Sequence, residues 1–474
     1  MKKYSDLYCF VGEFVVSFKK RRKEINMKRF QKSSDMTEGG IACQLLFFAF
    51  PIMFSSLFHL IYSLADSIIV GKFIGGNALA AVSVTGNATY LLFSIAGGVN
   101  MGSSVVLAQA YGARDEQRMK QIIATSVWVL GIAAGVFTIL GISMTGMILK
   151  IIHTPEDIFE MARSYLLIIF AGTAGSIFYD WLAALLRAFG NSFVPLVCLV
   201  FSGVLNVLLD LFFILYLDMG IEGAAYATVI SQILSGVLCF VYVWKCFPVI
   251  RLKKGERGLK KGVLKKILWI GVPAAAQDGI ITISNMILQS VLNTYGTIVV
   301  LAYSIVSKYE LICMQVGDAL GNAVSTFVGQ NMGAGKMGRV IRSVKTTVFL
   351  NFVGYGIVAP VVFFAAKECM SIFTDQGEAI ALGVRFLHVY AVFFPALGIL
   401  ILFQNFLRSV GDIPSTIWMG ICEVAARTVF ALGLPFVLEA SGLFFVSPFT
   451  WVASMLLGIG CYASGRWKKK KYIF

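Results

Sequence analysis

Four residues with oxygen-bearing side chains, Asp66, Asn206, Asp210 and Thr228, stand inside otherwise apolar runs in the first half of this 474-residue chain. A carboxylate at the middle of a bilayer costs roughly 2.5–3.5 kcal/mol on insertion scales, so each acid needs a partner or a task. Asn206 and Asp210 are four apart, a spacing that puts both side chains on one helical face. Two carboxylates, an amide and a hydroxyl form a hard oxygen set suited to a small cation such as Na+, provided the fold brings them together. Desolvation also disfavours the charged carboxylate, so the same acids could instead exchange protons. Either chemistry can drive a transporter, and the plain alternative is interhelical hydrogen bonding that holds a bundle together.

Glu423 and Arg427, also four apart, read as a structural ion pair on one helix. Tyr62, Asp180, Gln277, Asp278, Glu310, Asp318 and Arg427 are candidates for lining a substrate cavity. His59, His153 and His388 have no metal-ligand spacing, and the nine cysteines form no CxxC pair. No catalytic residue, no cofactor and no metal beyond Na+ at the Asp66 set are therefore expected. Phe47, Phe48, Phe54, Tyr62 and Trp181 could contact flat cations, although phenylalanine at helical spacing equally serves packing or lipid contact.

The elements that must position these groups are membrane helices. The chain is 58% hydrophobic and 14% charged, more apolar than a soluble protein of this length can hide. Apolar runs of about 20 residues, long enough to cross the hydrocarbon layer, are predicted at 41–71, 78–108, 119–146, 159–186, 194–217, 222–247, 264–293, 298–328, 339–365, 379–407, 414–438 and 443–465. The formal charge of +15 is concentrated in the tails and alternate loops: Lys19 to Lys32, Arg114 to Lys120, Arg251 to Lys266, Lys336 to Lys345, and Arg466 to Lys471. The intervening loops carry little, chiefly Lys72, Lys150 and Lys367. This is a positive-inside pattern with both termini in the cytoplasm, and it argues against a nucleic-acid partner. The segment from Leu7 to Phe18 contains Glu13 and runs into five basic residues, a poor signal peptide. A cytoplasmic tail with a surface helix is expected there, with Met27 or Met36 as alternative starts.

The chain repeats itself. Gln109-Ala-Tyr-Gly112-Ala113 matches Gln330-Asn-Met-Gly333-Ala334, and Arg187-Ala-Phe-Gly190-Asn191 matches Arg408-Ser-Val-Gly411-Asp412, both 221 residues apart. Pro51 and Pro273 are 222 apart. Six helices is an even number, so both halves enter the membrane from one side, a parallel repeat suited to rocking about a central cavity. The expected organisation is a basic tail over 1–35, a first lobe over 36–247, a linker over 248–263, a second lobe over 264–465 and a basic tail over 466–474. The offset sends Asn206 to Arg427, Asp210 to Ala431 and Asp66 to Ile287 or Leu288, so the acids belong to one half.

From Met36-Thr-Glu-Gly-Gly through Pro51, Asp66, Gly71, Gly75, Ala78-Leu-Ala and the repeated motifs above, the chain resembles multidrug and toxic compound extrusion (MATE) transporters. It is most like their prokaryotic DinF-like and MepA-like branches, and the likeness covers nearly everything after residue 36. The resemblance implies an all-α integral membrane fold of twelve helices, with two six-helix lobes related by pseudo-two-fold symmetry. It implies export of organic cations, drugs or other amphipathic compounds by antiport with Na+ or H+. Asp66, Asn206, Asp210 and Thr228 match the DinF-like first-lobe cation pattern. Span 10 carries no acid between Arg385 and Asp412, a departure from the NorM-like second-lobe pattern. A multi-pass monomer in the bacterial inner membrane is expected. A lipid-linked precursor flippase and a membrane acyltransferase are the alternatives, the first requiring an excess of cavity arginines and the second a catalytic constellation that the sequence does not offer.

Overall fold

The structure, a computed structural model, describes residues 35–469, with the side chains of Asn87, Ala88, Tyr90, Leu91, Leu92, Asp278 and Lys469 outside the description. The expected tail helix and alternative starts therefore lie outside the described residues, as does the side chain of the cavity candidate Asp278. Twelve long helices follow one another: α1 (Ile41–Phe73), α2 (Gly76–Gly112), α3 (Glu116–Ile151), α4 (Glu156–Ala188), α5 (Phe193–Leu211), α6 (Gly220–Cys246), α7 (Lys261–Asn293), α8 (Thr297–Gly333), α9 (Met337–Phe364), α10 (Gly377–Ser409), α11 (Ile413–Leu438) and α12 (Val446–Ala463). Among the described residues ten helical stretches are long and apolar enough to span a bilayer, the last running from Ile413 through Ala463 across both α11 and α12. Helix α2, five of whose side chains lie outside the described residues, packs along the other half of the protein, against α7 and α8. Large apolar side chains such as Ile61, Leu64, Ile139, Phe364 and Phe436 lie bare on the outside, as a lipid-facing surface requires.

Packing repeats as the sequence does. In the first half α2 packs on α3 and α4, α3 on α4, α4 on α6, α5 on α6 and α1 on α5; in the second, α8 packs on α9 and α10, α9 on α10, α10 on α12, α11 on α12 and α7 on α11. The corners repeat too. Gly190 and Gly411 leave α4 and α10 at φ of 80° and 79°, a left-handed conformation that glycine adopts without steric cost. The second lobe has an aromatic core in which Tyr390 and Phe394 pack on Trp451. The start of α1 departs from its own lobe, since Leu45, Phe48 and Ala49 are buried in the second lobe's core.

The halves meet along a pseudo-two-fold axis, with α2 against α7, α8 against α1, and α2 against α8. At the basic end α2 and α8 cross in backbone contact. A Cβ on Gly112 would fall 1.9 Å from the Gln330 carbonyl oxygen, and one on Gly333 1.9 Å from the Gln109 carbonyl oxygen. Beside this crossing, Gln109 Nε2 donates to the Ser409 carbonyl at 2.8 Å and Gln330 Nε2 to the Ala188 carbonyl at 2.9 Å. Ala188 and Ser409 are themselves 221 apart, so one latch is made twice across the axis. The lead-in to α1 crosses the same end: Met36 N–H donates to Gln330 Oε1 at 3.0 Å, and Arg339 donates to the Met36 and Gly39 carbonyls.

Two segments are more ordered than loops and tails need be. The stretch joining the lobes forms short 3-10 turns at Pro248–Ile250 and Lys254–Glu256 and is strapped along α3 by Lys120 Nζ to Glu256 Oε1 at 3.2 Å and Trp128 Nε1 to the Arg257 carbonyl at 2.7 Å. The Lys253 backbone N–H and the Lys120 ammonium hold the Glu256 carboxyl below its usual range. After α12, the turn Arg466–Lys469 buries Trp467 against Phe406 and Tyr462, so the beginning of the expected C-terminal tail is part of the packed lobe.

Candidate functional site

Three polar centres lie within the bundle. The first is inside the amino-terminal lobe, where α1 packs on α5 and α5 on α6. Asp210 is fully buried on α5, Asn206 is 2% exposed one turn earlier, and α5 loosens into a π-helical turn at Phe212–Tyr216 immediately after them. Such turns interrupt the regular ladder and recur at functional sites. The carboxyl of Asp66, on α1, lies within hydrogen-bonding reach of Asp210. Asn206 Nδ2 donates to Thr228 Oγ1 of α6 at 3.4 Å. The four residues singled out from sequence thus come together. Tyr165 of α4, buried against Thr228, completes the wall. Sequence reasoning missed it, because a tyrosine in an apolar run carries no positional signal.

The oxygens of this centre outnumber its donors. Asp66 Oδ1, Asn206 Oδ1 and both carboxylate oxygens of Asp210 are buried without a hydrogen-bond donor from the protein. Each such atom ordinarily costs about 1–3 kcal/mol, more when charged. The donor set therefore fits a small hard cation or a shared proton, either of which would satisfy these atoms.

The second centre is a cavity of about 220 Å³ between the lobes, directly above the latched crossing, walled by α2, α4 and α8. Asp180 and Arg187 of α4, Asn100 and Ser104 of α2, and Asn322 and Thr326 of α8 supply its polar lining. Asp180 is open to this space although atoms of the bundle crowd around it. Tyr62, a cavity candidate from sequence, is not among the residues lining this cavity, but it is near enough to feel the charges of both Asp66 and Asp180. Arg187 stood out in sequence only as part of a repeated motif; Asn100 and Asn322 carried no signal.

The third centre sits in the second lobe and corrects an expectation. Arg427 and Glu310 are not among the described residues that line the cavity of α2, α4 and α8. Arg427 is 3% exposed, its Nη2 is 3.6 Å from Glu423 Oε1, its Nη1 donates to Asn285 Oδ1, and Glu310 stands near enough to feel its charge. A buried guanidinium needs its counter-ions close, which draws it into the lobe. Gln277 likewise is not among the residues lining the cavity; it is 4% exposed, its Oε1 accepting from Arg408 Nη2.

Two lobes of six helices about a polar cavity, with carboxylates sequestered beside it, define a polytopic membrane protein of transporter architecture. The MatE family model matches residues 51–212 and 273–432, one match in each half, and the chain belongs to this family. It is 29% identical over 446 residues to the Bacillus subtilis "Probable multidrug resistance protein YpnP", covering 93% of this chain and 99% of that protein. It is 22% identical over 434 residues to the Staphylococcus saprophyticus "Multidrug export protein MepA", covering 90% and 92%. The crystal structure of the Vibrio cholerae MATE transporter VcmN in its bent form shares the fold, with a TM-score of 0.86 at 21% identity over 92% of this chain and 98% of that one.

Proposed function

We propose that the chain is a secondary active transporter that exports organic, cationic or amphipathic compounds by antiport with Na+ or H+. The observation that carries this reading is the set of donorless oxygens on Asp66, Asn206 and Asp210. A static structural role would pair these atoms; a site that cycles between loaded and empty cannot pair them permanently. The names of the relatives, multidrug resistance and multidrug export, support the same class of cargo.

In this reading the inner-membrane protein has its termini and latched end in the cytoplasm, so the closed crossing of α2 and α8 belongs to an outward-facing state. Cargo occupies the inter-lobe cavity. The coupling ion enters the Asp66 and Asp210 pocket, and Tyr62, close to both acids, links pocket to cavity. Release and rebinding of the ion biases the lobes between the outward-facing form and one in which the latch is broken. Purified protein in proteoliposomes, given a fluorescent organic cation under separate Na+ and H+ gradients, tests the proposal. Gradient-driven uptake that disappears in Asp66→Asn and Asp210→Asn proteins supports it, and uptake unchanged in both variants removes these acids from the mechanism.

A further inference from the structure

Arg187 and Arg408 are repeat mates, but they are used differently. Arg408 donates through Nη2 to Gln277 Oε1 and through Nη1 to the Met101 sulfur at 3.3 Å, so it holds α10 to α7 and α2. Arg187 makes no hydrogen bond or ion pair with any described residue, and its guanidinium borders the inter-lobe cavity. A guanidinium in crowded surroundings is a costly group to leave without an acceptor. Its five donors in a planar fork match a carboxylate in a bidentate geometry.

Asp180 lines the same cavity seven residues earlier, with Ala184 between them on the same face of α4. Two turns separate the charges by roughly 10 Å along the axis. Asp180 and Arg187 feel each other's charge but form no ion pair among the described residues, so each keeps its donors or acceptors for something else. Around them stand neutral polar groups: Asn100, whose Oδ1 is buried without a donor, and Asn322, which spends an amide proton on the Asp318 carbonyl at 2.8 Å and keeps its oxygen free to accept. The cavity thus presents one anionic and one cationic wall along its length.

We infer that the cavity selects zwitterionic cargo, with a carboxylate docked on Arg187 at the latched end and an amine facing Asp180. This rests on the reading that the inter-lobe cavity carries the cargo, and it assigns Arg187 as a specificity-determining residue. Its position also joins recognition to gating: the carbonyl of Ala188, the next residue, accepts the Gln330 side of the latch. Drawing the Arg187 side chain toward a carboxylate therefore acts on the end of α4 that the latch grips.

The test uses full-length protein in lipid nanodiscs and two dyes, a rhodamine with a free carboxylate and its methyl ester, with binding read by fluorescence anisotropy. The dyes share the cationic amine system and differ only in the anion. In the wild-type protein the acid is expected to bind at least about tenfold tighter than the ester, the scale of one charge-assisted bidentate contact. Arg187→Gln should erase that preference while leaving ester affinity within about twofold, Arg187→Lys should keep part of it, and Asp180→Asn should weaken both dyes alike. Equal binding of the two dyes to wild type, or an acid preference that survives in Arg187→Gln, overturns the assignment of Arg187 alone. Binding of neither dye overturns it together with the cargo reading. The wild-type comparison needs no variant, so a poorly folding substitution does not shield the inference.

Discussion

Substituting Gly112 by alanine adds one methyl group at the place where the lobes touch. That carbon would lie 1.9, 2.6 and 2.7 Å from three atoms, all of them backbone atoms of Gln330 in the opposite lobe. Since Cβ contacts under 3.0 Å are essentially not found, α2 and α8 must separate by at least about 1.1 Å at this end. No rotamer change relieves the clash, because the obstacle is a carbonyl. The strain acts against the latched state alone, since none of those atoms belongs to the first lobe. Overpacking of this kind costs typically 1–3 kcal/mol, a population shift of roughly 5- to 150-fold away from the closed crossing. Hydrogen–deuterium exchange should show segments 105–115 and 327–337 losing protection while the helices interior to each lobe keep theirs, and gradient-driven transport should fall at least about fivefold. Gly333→Ala, whose added carbon meets Gln109 and Ala113 of the first lobe, should behave the same way. Wild-type protection at both segments together with wild-type transport would refute the claim that this crossing is a gate.

The remaining expectations follow from the same geometry. If Na+ is the coupling ion, saturating Na+ near 100 Kd should raise the stability of purified protein by about 2.7 kcal/mol, read as a higher midpoint of thermal unfolding; Asp210→Asn should abolish that rise, and its persistence would exclude this pocket. Gln109→Leu and Gln330→Leu each leave a carbonyl of the other lobe without its donor, so each should weaken the latch by about 1–3 kcal/mol and speed exchange at the crossing, Gln330→Leu the more because it also strips Met36 N–H of its acceptor; wild-type exchange in both variants would show that these amides do not hold the crossing. Arg427→Gln leaves both Glu423 and Glu310 uncompensated and should lower stability by roughly 3–5 kcal/mol, whereas Glu423→Gln leaves Arg427 beside Glu310 and should cost less. The reverse order in thermal unfolding would show that Glu310 is not part of the cluster.

Much of the architecture was legible because a bilayer demands long apolar runs, and because duplication left matched motifs at one offset. Those motifs turned out to be structural: Gln109 and Gln330 are the latch, Gly112 and Gly333 the crossing, Gly190 and Gly411 the corners. The acid pocket was legible because carboxylates in apolar runs are costly, so Asp66 and Asp210 announce themselves. Arg427 was half legible. Its spacing from Glu423 identified the pair, but its charge suggested a cavity wall, and only packing shows that counter-ions hold it inside the lobe. Tyr165, Asn100 and Asn322 were illegible for the opposite reason: uncharged polar residues are inexpensive in a membrane helix, so their positions emerge only when neighbouring helices are assembled around them.

The deepest asymmetry lies between positions that the repeat makes equivalent. Asn206 of the first lobe corresponds to Arg427 of the second, and both are almost fully buried on the helix that packs against the first helix of its lobe. In the second lobe the position carries a guanidinium, with Glu423 and Glu310 beside it, so that lobe's positive charge is covalently attached. In the first lobe the position is a neutral amide beside two carboxylates, and the positive charge must come from outside. A tethered cation cannot leave, so under the antiport proposed above the second lobe would keep one electrostatic state through a cycle while the first would have two, loaded and empty. On that proposal, two copies of one six-helix fold would divide the labour of an antiporter, one as a fixed reference body and the other as the ion-responsive one, with the packing scheme of both lobes the same.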